Sequence, residues 1–221
     1  QNWVEGWRLV GDYIGNSFFQ AITATTLLTA LAVVVSYVVA RYRFPGKSVF
    51  YYGLMATIFL PPSAASLVTV FNLLQNMGLM NSLWALIIPI SLGGQAVTVI
   101  ILRQFIENIP KDLFESAQID GAGHFRQIKD IVLPLSGSII GVLAIQTFIF
   151  NWNELMLPLV MIRDEVRQTI PLGLMMLDGE YHKEWGPLMA AYSISALPLV
   201  LIFFFVMRLF VKGLASGAVK G

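Results

Sequence analysis

The sequence predicts an all-α membrane protein, a polytopic bundle of transmembrane helices. Of its 221 residues, 57% are hydrophobic and only 12% are charged, which is about half the charged fraction of an ordinary soluble domain. The mean hydropathy is +0.72. The charges are also unevenly spread, because four long segments contain no Asp, Glu, Lys or Arg: residues 17–40, 48–102, 131–153 and 185–207.

These charge-free segments are long enough to cross a bilayer. A hydrocarbon core about 30 Å thick requires about 20 apolar residues in a helix. Segment 48–102 has room for two such helices and a short hairpin, and each of the others has room for one. We therefore predict a single transmembrane domain over residues 1–221, with five spans near 17–40, 49–73, 83–106, 133–162 and 187–211.

Other protein classes fit the composition poorly. The buried helices of a soluble core are usually shorter and are interrupted by charges. A β-barrel would show alternating apolar and polar residues instead of continuous apolar runs. The formal net charge of +1 does not indicate a nucleic-acid partner, and the absence of cysteine excludes disulfides and thiol chemistry.

Lysine and arginine are concentrated on alternate loops, which predicts the orientation in the membrane. Ten of the 14 follow the first span, follow the third span or lie near the C-terminus, and the other four lie on the opposite side. The C-terminus is therefore predicted to be cytoplasmic and the first residue to lie outside. Because no signal sequence precedes that outer start, we expect six spans in the complete protein.

The coupling segment, residues 107–132 between the third and fourth spans, is predicted to lie in the cytoplasm. Pro110 suits the first turn of a helix, where its missing N–H costs nothing. Lys111 and Glu115 follow at i, i+4 spacing, and Gly121 suits the left-handed conformation that ends a helix. Apolar residues then return at helical spacing, so the segment is predicted to form a helix, a glycine turn and a second helix.

The charge balance of this region bears on what it contacts. Helices that lie on lipid carry mostly Lys and Arg on the polar face, whereas residues 103–132 contain five acids and four bases. Acidic groups are repelled by an anionic cytoplasmic leaflet. The balance therefore favours a protein partner over a lipid surface for the coupling segment.

The same residues resemble the EAA signature of ABC-importer permeases. That signature runs E-A-A, three residues, G, nine residues and I-x-L-P, and "ESAQIDGAGHFRQIKDIVLP" (115–134) keeps this spacing with Ser for the first Ala. In that family the loop is the coupling helix, which sits in a cleft of the cytoplasmic ATPase and converts its closure into movement of the spans. The positions that carry the resemblance are Glu115, Ser116, Ala117, Asp120, Gly121, Ala122, Ile131, Leu133 and Pro134.

Two further segments resemble the carbohydrate-importing, MalG-like subgroup of that family. "NWNELMLPLVMI" (151–162) is similar to its W-N-E-F-x-x-P-L segment, with Leu155 where Phe is common. "GLASGAVKG" (213–221) is similar to its C-terminal G-L-x-x-G-x-V-K-G. The resemblance implies that this tail contacts the ATPase, through Gly213, Val219, Lys220 and Gly221.

What the resemblance implies is the type I permease fold of a sugar importer in the cytoplasmic (inner) membrane of a prokaryote. The implied partners are a second, homologous permease subunit in a heterodimer, two copies of an ATP-binding subunit, an extracytoplasmic solute-binding protein at the outer loop 163–186, and membrane lipid. ATP and Mg belong to the ATPase subunits, and this chain has no Walker A pattern and no expected cofactor. The implied cargo is a disaccharide or oligosaccharide, with a polyol or a glycerol phosphate ester as the alternative.

Polar residues near the outer end of the fourth span are candidates for a gate or for substrate contact: Asn151, Trp152, Asn153 and Glu154. They lie about 27–32 Å beyond Leu133 along a straight helix. An ionisable residue at this depth is a functional candidate because its burial in lipid is costly, and sugars favour amide, carboxylate and aromatic partners. The alternative is an interfacial Trp belt in which Asn and Glu cap the next helix.

Three weaker pathway candidates lie elsewhere in the spans. Pro61 and Pro62 interrupt the backbone hydrogen bonds of the second span, and such a break either lines a cavity or packs as a kink. Asn72 follows near the outer side, where it lines a pathway or belongs to a polar loop. Gln146 in the fourth span either faces a pore or makes an interhelical hydrogen bond.

Functions other than transport coupling find little support. An intramembrane enzyme needs a convergent catalytic set, and no GxSxG, HExxH or paired intramembrane Asp occurs. A passive channel is expected to show charged rings or a carbonyl filter, and neither is evident. His124 and His182 have no companion at ligand spacing, so we predict neither a metal site nor catalytic activity.

Overall fold

The computed structural model describes residues 1–59, 64–93, 96–178 and 185–218, with side chains omitted at 64–65, 178 and 205–218. Every regular element in these ranges is helical, which confirms the predicted all-α class. The α-helices are α1 (Asn2–Arg41), α2 (Lys47–Ile58), α3 (Ala64–Asn76), α4 (Trp84–Gly93), α5 (Ala96–Glu107), α6 (Lys111–Ile119), α7 (His124–Gln127), α8 (Leu133–Leu135), α9 (Gly137–Trp152), α10 (Met156–Met161), α11 (Ile170–Asp178) and α12 (Trp185–Ala218). A π-helical turn (Ile128–Val132) joins α7 to α8, and a 3₁₀ turn (Glu165–Arg167) precedes α11.

Two of the predicted spans coincide with long continuous helices. The span 17–40 lies within α1, and the span 187–211 lies within α12. By length and composition, the helices that can cross a membrane alone are Asn2–Arg41 and Trp185–Phe204. Both consist of charge-poor apolar sequence, for which a helix is the structure that satisfies every backbone polar group in lipid.

The other three predicted spans are interrupted. Residues 49–73 are divided between α2 and α3, and residues 83–106 between α4 and α5. Residues 133–162 contain α8, α9 and α10. Two bent helix pairs can each form one further span: α4 with α5, and His124–Leu135 with α9. If both do, the described residues contain up to four spans. The total of five therefore stays a prediction.

The largest of these interruptions is a bend at Ser136. The axis of His124–Leu135 and the axis of α9 differ by 84°. Pro134 lacks an N–H and its ring crowds the carbonyl four residues earlier, and directly before it the chain widens into the π turn Ile128–Val132. Ser136 then leaves the helical conformation, with φ −103° and ψ 7°. The turn into the fourth span therefore lies two residues beyond the proline.

The described residues form two compact units, which are considered separately. The first unit comprises Gln1–Thr25, Pro62–Ile90 and Ile145–Gly221. It contains two clusters of buried apolar side chains, one around Trp152 and the other around Leu86. The cluster around Trp152 joins the beginning of α1 to α9, α11 and α12, and the cluster around Leu86 joins α3, α4, α10 and α11.

The second unit comprises Thr26–Pro61 and Ser91–Ala144, and it contains the coupling segment. Its core brings together the last turns of α1, the helix α5 and the coupling segment. The Ser36 hydroxyl on α1 donates to the Val99 carbonyl on α5 at 3.1 Å, in a buried position. The buried core residues are Ala32, Val33, Tyr37, Val99, Leu102, Ile106, Ile109, Phe114, Val132 and Leu143.

Within the first unit, α1 and α12 approach each other closely at Gly6. A Cβ atom built on Gly6 would lie 2.8 Å from the Ala190 side chain and 2.8 Å from the Ala191 backbone nitrogen. Real Cβ atoms do not make contacts this short, so any larger residue at this position forces the two helices apart. Small residues at a helix contact are typical of membrane bundles, because they let backbones pack closely.

Gly6→Ala should therefore lower the free energy of unfolding of the purified protein in detergent by about 1–2 kcal/mol, since overpacking costs more than the gain in helix propensity. Gly15→Ala is the matched control on the same helix, because nothing lies within 4 Å of its built Cβ. The control should raise stability by up to about 1 kcal/mol. Equal effects of the two substitutions, in denaturant titrations followed by circular dichroism, would contradict the close contact.

Candidate functional site

The coupling segment is built around a turn at Gly121, which ends α6. Gly121 has φ +75°, in the left-handed region that favours glycine. Its N–H donates to the Gln118 carbonyl at 3.0 Å, and the Ala122 N–H donates to the Ala117 carbonyl at 2.8 Å. This pair of hydrogen bonds is the Schellman motif, in which the small side chains of Ala117 and Ala122 flank the turn. The predicted glycine turn is confirmed. The turn gives a structural role to three EAA positions, Ala117, Gly121 and Ala122.

One side of α6 is anchored in the core of the second unit. Phe114 is 2% exposed and belongs to the buried cluster. The guanidinium carbon of Arg41, the last residue of α1, lies 3.8 Å from the centroid of the Phe114 ring. This is within the range of a cation–π interaction, so α6 is held to the end of α1 by an aromatic side chain and a charge.

Gln127 connects the Gly121 turn to α1 by hydrogen bonds. The Tyr37 hydroxyl donates to Oε1 of Gln127 at 2.7 Å, and Nε2 of Gln127 donates to the Ala122 carbonyl at 3.1 Å. Both Tyr37 and Gln127 are 2% exposed. Hydrogen bonds in such a low-dielectric position are costly to leave unmade. The amide of Gln127 thus fixes the position of the turn relative to the last turns of α1.

His124 begins α7 directly beside this connection. Its ring lies 5.1 Å from the Tyr42 ring and within hydrogen-bond distance of the Tyr42 hydroxyl, and its Nδ1 is 3.5 Å from the Tyr37 hydroxyl. The contacts to two tyrosines explain the position of His124 without a metal. No group of three or more His, Cys, Asp or Glu in the described ranges could hold a metal ion.

The opposite side of the coupling segment exposes large apolar side chains. Ile119 is 87% exposed at the end of α6, and Phe125 is 81% exposed in α7. Leu113, in the first turn of α6, is 45% exposed. These side chains flank the rigid Gly121 turn on a segment that is predicted to face water. Large apolar side chains exposed in this way are candidates for a contact with another protein.

The charged EAA residues are solvent-accessible and are not paired as the sequence suggested. Glu115 and Asp120 are exposed, and Asp120 is the C-terminal cap of α6. The i, i+4 ion pair expected between Lys111 and Glu115 is not among the ion pairs of the described residues; both side chains instead line an open pocket. An exposed pair of this kind contributes little, so its loss does not disturb the helix.

The remaining EAA positions have structural surroundings that the spacing alone does not reveal. Ser116 is exposed, and its carbonyl accepts the Asp120 N–H at 3.0 Å. Ile131 packs against the buried cluster of the second unit. Leu133 is 42% exposed and Pro134 is exposed, at the π turn and bend described above.

The second candidate set, at the end of α9 in the first unit, divides into buried and exposed members. Trp152 is 3% exposed, stacks on Phe148 with centroids 5.6 Å apart, and donates its Nε1–H to the Ser195 carbonyl at 3.3 Å. Asn151 is 1% exposed and donates from Nδ2 to the Thr25 hydroxyl at 3.4 Å. These two side chains are core residues. Trp152 therefore does not belong to an interfacial belt, and neither side chain is accessible to a solute in this conformation.

Asn153 and Glu154 lie in the turn after α9. Asn153 is exposed and donates from Nδ2 to the Ile149 carbonyl at 2.7 Å. Glu154 accepts the Leu157 N–H on its Oε1 at 3.1 Å, in the first turn of α10. The capping alternative is therefore confirmed for Glu154. A side-chain carboxylate at a helix N-terminus is favourable because it satisfies a free N–H and meets the positive end of the helix dipole.

The weaker pathway candidates are only partly described. Asn72 is exposed on α3 and Gln146 is exposed on α9. Pro61 and Pro62 lie outside the described residues, as do Val219, Lys220 and Gly221 of the tail. Gly213 lies within the backbone of α12.

The outer loop is more tightly held than its sequence suggests. Asn81 has φ +57°, and its Oδ1 accepts the N–H groups of Arg163 and of the next residue at 3.1 and 3.0 Å. Nδ2 of Asn16 donates to the carbonyls of Val166 and Gln168 at 2.7 and 2.9 Å. The stretch 163–168 is therefore fixed to two other segments of the first unit and presents a preformed surface.

Tyr37, Arg41 and Gln127 were not singled out from the sequence, although they determine the geometry of the coupling segment. Tyr37 falls inside an apolar run, where an aromatic residue is unremarkable by composition. Gln127 lies in a polar loop among exposed charges. The one signal in the sequence is Arg41, which stands at the boundary of a charge-free segment.

Comparisons with known proteins agree with the resemblance carried by the EAA residues. Residues 32–216 match the family described as "Binding-protein-dependent transport system inner membrane component". The chain is 35% identical over 225 residues to the probable ABC transporter permease protein YurM of Bacillus subtilis (strain 168). The match covers 100% of this chain and 74% of that protein.

Two further relatives have names that state a substrate. The chain is 32% identical to the diacetylchitobiose uptake system permease protein DasC of Streptomyces coelicolor, over 95% of this chain and 75% of that protein. It is 33% identical to the sn-glycerol-3-phosphate transport system permease protein UgpE of Salmonella typhi, over 91% of this chain and 71% of that protein.

Among solved structures, a bacterial ABC transporter involved in the import of the acidic polysaccharide alginate contains a similar chain. The TM-score is 0.81 at 19% sequence identity, and the match covers 94% of this chain and 78% of that one. At this identity the comparison establishes the fold, which agrees with the helical permease fold expected from the sequence.

Gln127→Leu should lower the free energy of unfolding by about 1–3 kcal/mol, because it leaves the buried Tyr37 hydroxyl without its acceptor. Adding Tyr37→Phe removes that unpaired hydroxyl, so the double variant should cost less than the sum of the single variants. Thermal unfolding of all three proteins in detergent measures this coupling. Gln118→Leu, at an exposed position of α6, is the control and should change stability by less than about 0.5 kcal/mol. Strictly additive costs at positions 37 and 127 would contradict the connection.

Proposed function

The chain belongs to the family of binding-protein-dependent transport system inner membrane components, and on that premise we propose that it is one permease subunit of an ATP-driven sugar importer. As a transport permease it is not a catalytic enzyme. It forms half of the translocation pathway and carries one coupling helix. ATP and Mg bind to a separate ATPase chain, which this subunit contacts through the coupling segment.

The observation that carries this proposal is the two-sided structure of the coupling segment. Its inner side is fixed to α1 by the Phe114 ring and by the hydrogen bonds of Gln127. Its outer side exposes Ile119 and Phe125 almost completely. An apolar projection on a rigid base suits insertion into a cleft of another protein, and exposed acids such as Glu115 suit a basic rim around that cleft.

A rigid base is what force transmission requires. When two ATPase chains close, a coupling helix held in each cleft is displaced with them. Because the Gly121 turn is hydrogen-bonded to Gln127 and through it to Tyr37, the displacement passes to the end of α1 without being absorbed by a loose loop. Closure of the ATPase and docking of a loaded binding protein then shift the inward–outward equilibrium, each by its difference in affinity for the two states.

The proposed cargo is a disaccharide or an oligosaccharide. The resemblance to the carbohydrate-importing subgroup and the relative that takes up diacetylchitobiose support this class. A glycerol phosphate ester is the second candidate, since the relative named for sn-glycerol-3-phosphate is equally similar. In the pathway itself, the exposed amides of Asn72, Gln146 and Asn153 are the candidates for contact, because amides pair with hydroxyl groups both as donors and as acceptors.

The proposed assembly contains a second, homologous permease subunit, two ATPase subunits and an extracytoplasmic solute-binding protein. The fixed outer stretch 163–168 is the proposed contact for the binding protein. The tail from Gly213 to Gly221 is the proposed second contact with the ATPase. In this arrangement the coupling segment and the C-terminus are cytoplasmic, in agreement with the distribution of Lys and Arg.

Ile119→Asp combined with Phe125→Ala should abolish stable binding of the ATPase chain, because it places a charge in the apolar contact and removes an aromatic anchor. Co-purification of the ATPase with the tagged permease, from cells that express the whole transporter, measures this loss. We expect at least a tenfold decrease in recovered ATPase with unchanged recovery of the second permease. Val166→Asp, which alters a 76% exposed apolar residue outside the coupling segment, is the control. Normal ATPase recovery with the double variant would overturn the coupling proposal.

Uptake of labelled solutes by cells that express the complete transporter distinguishes the two cargo classes. We expect accumulation of a labelled disaccharide or oligosaccharide, dependent on ATP and on the cognate binding protein. Accumulation of labelled glycerol phosphate with no uptake of any oligosaccharide would establish the second candidate and exclude the first. Binding of the same solutes to the purified binding protein provides an independent measurement.

A further inference from the structure

An open pocket of about 560 Å³ lies in the second unit, between the last turns of α1, the start of α2 and the coupling helix α6. Four cationic side chains line it: Arg41, Arg43, Lys47 and Lys111. Two carboxylates, Glu107 and Glu115, line it as well. The four cations are not part of the exposed apolar surface of the coupling segment described above.

The charges of the pocket do not cancel. Glu107 is already neutralised, since it forms an ion pair with Arg103 at 2.8 Å. Glu115 is then the only free acid opposite four cations, and none of those cations is in an ion pair of the described residues. Lys111 also stands in the first turn of α6, where the helix dipole disfavours a positive charge. Four cations that face a single unpaired carboxylate indicate a site for an anion.

The cations keep their capacity to bind a ligand. The Arg41 guanidinium uses its flat face on Phe114, which leaves the N–H groups at its edge free for a planar, bidentate contact. Lys47 donates one N–H to the Tyr42 carbonyl at 3.0 Å and has two more. Arg43 and Lys111 are exposed. Phosphate oxygens suit this mixture of guanidinium and ammonium donors.

The position of the pocket along the chain places it at the level of lipid headgroups. Arg41 and Arg43 directly follow the charge-free segment 17–40, and Lys47 directly precedes the charge-free segment 48–102. Charges at the ends of apolar spans lie at the membrane surface, here on the side predicted to be cytoplasmic. Basic pockets between helices on that side are suited to anionic lipid headgroups.

The surface next to the pocket suits acyl chains. The helix α2, which begins at Lys47, has no buried residue in this chain. Its first two turns expose Val49 at 78%, Phe50 at 46% and Tyr52 at 67%. A ligand with a phosphate group and an apolar tail would meet cations in the pocket and apolar side chains along α2. A soluble phosphate ester would use only the first of these.

We propose that this pocket binds the phosphate headgroup of an anionic glycerophospholipid, whose acyl chains lie along α2. The lipid joins the end of α1 to α6, because Arg41 and Lys111 contact the same phosphate-bearing group from the two sides. Occupancy thus reinforces the attachment of the coupling helix to α1. An anionic membrane would then strengthen the coupling of ATP hydrolysis to transport.

The test measures lipid bound to the assembled transporter. The complex is purified in a mild detergent, mixed with phosphatidylglycerol or phosphatidylcholine, and analysed by native mass spectrometry. We expect phosphatidylglycerol adducts in preference to phosphatidylcholine adducts. Arg43→Gln with Lys111→Gln, at two exposed residues, should weaken phosphatidylglycerol binding about 25-fold, since each cation near a membrane surface contributes about fivefold.

The matched control is Arg126→Gln with Lys129→Gln, which removes the same total charge at two exposed residues of the coupling segment that lie outside the pocket. The proposal requires the control to bind phosphatidylglycerol like the unmodified complex. Equal losses in both double variants would show non-specific attraction and overturn it, as would unchanged binding in the pocket variant. Two further measurements test the identity of the occupant. Release of the lipid by millimolar inorganic phosphate would assign the site to a soluble anion. Lipid binding only in the absence of the ATPase chain would assign the site to a protein contact. Either result would overturn the lipid proposal.

Discussion

The geometry of the coupling segment depends on one buried amide. Gln127 accepts a hydrogen bond from Tyr37 on α1 and donates one to the Ala122 carbonyl in the Gly121 turn. In a low-dielectric interior, neither bond can be exchanged for water without a substantial cost. The turn, the helix α6 that it terminates and the apolar side chains that it presents are therefore fixed to the end of a long helix. Together with the Phe114 anchor, this connection limits the local motion of the coupling segment.

The two sides of the coupling segment have opposite requirements, and the residues meet both of them. The inner side is apolar, with Phe114 in the core and the partly buried Ala117 and Ala122 on either side of Gly121. The outer side places Ile119 and Phe125 in water, which is unfavourable in isolation and is consistent with burial in a partner. Four cations and one unpaired carboxylate, Glu115, line an open pocket of the same unit. The coupling segment thus carries surfaces that are unsatisfied in the single chain.

The polar residues at the end of α9 show that neighbours in sequence can have different structural roles. Asn151, Trp152, Asn153 and Glu154 are adjacent in sequence, and their chemistry alone suits a gate, a sugar contact or a helix cap. The structure separates them: the first two are buried core residues, Asn153 is exposed, and Glu154 caps α10. Adjacent residues on a helix point in directions about 100° apart, so a cluster in sequence is seldom a cluster in space. The outer stretch 163–168, by contrast, is held in place by hydrogen bonds between its backbone and the side chains of Asn81 and Asn16.

The sequence by itself determined the features that depend on local chemistry. Charge-free segments longer than a bilayer require helices, and a glycine between two amphipathic stretches requires a turn, so the all-α class and the Gly121 turn were predictable. The EAA spacing identified the segment that is proposed to contact a partner. Only the tertiary structure decided which polar groups are partners: Tyr37 and Gln127 are 90 residues apart, and Arg41 meets Phe114 across a similar separation. The size of the bend at Ser136 was also decided by the tertiary structure, since hydropathy measures the length of an apolar run and not the course of its backbone. Long-range hydrogen bonds depend on the packing of whole helices. The periodicity within one helix does not indicate which other helix it contacts.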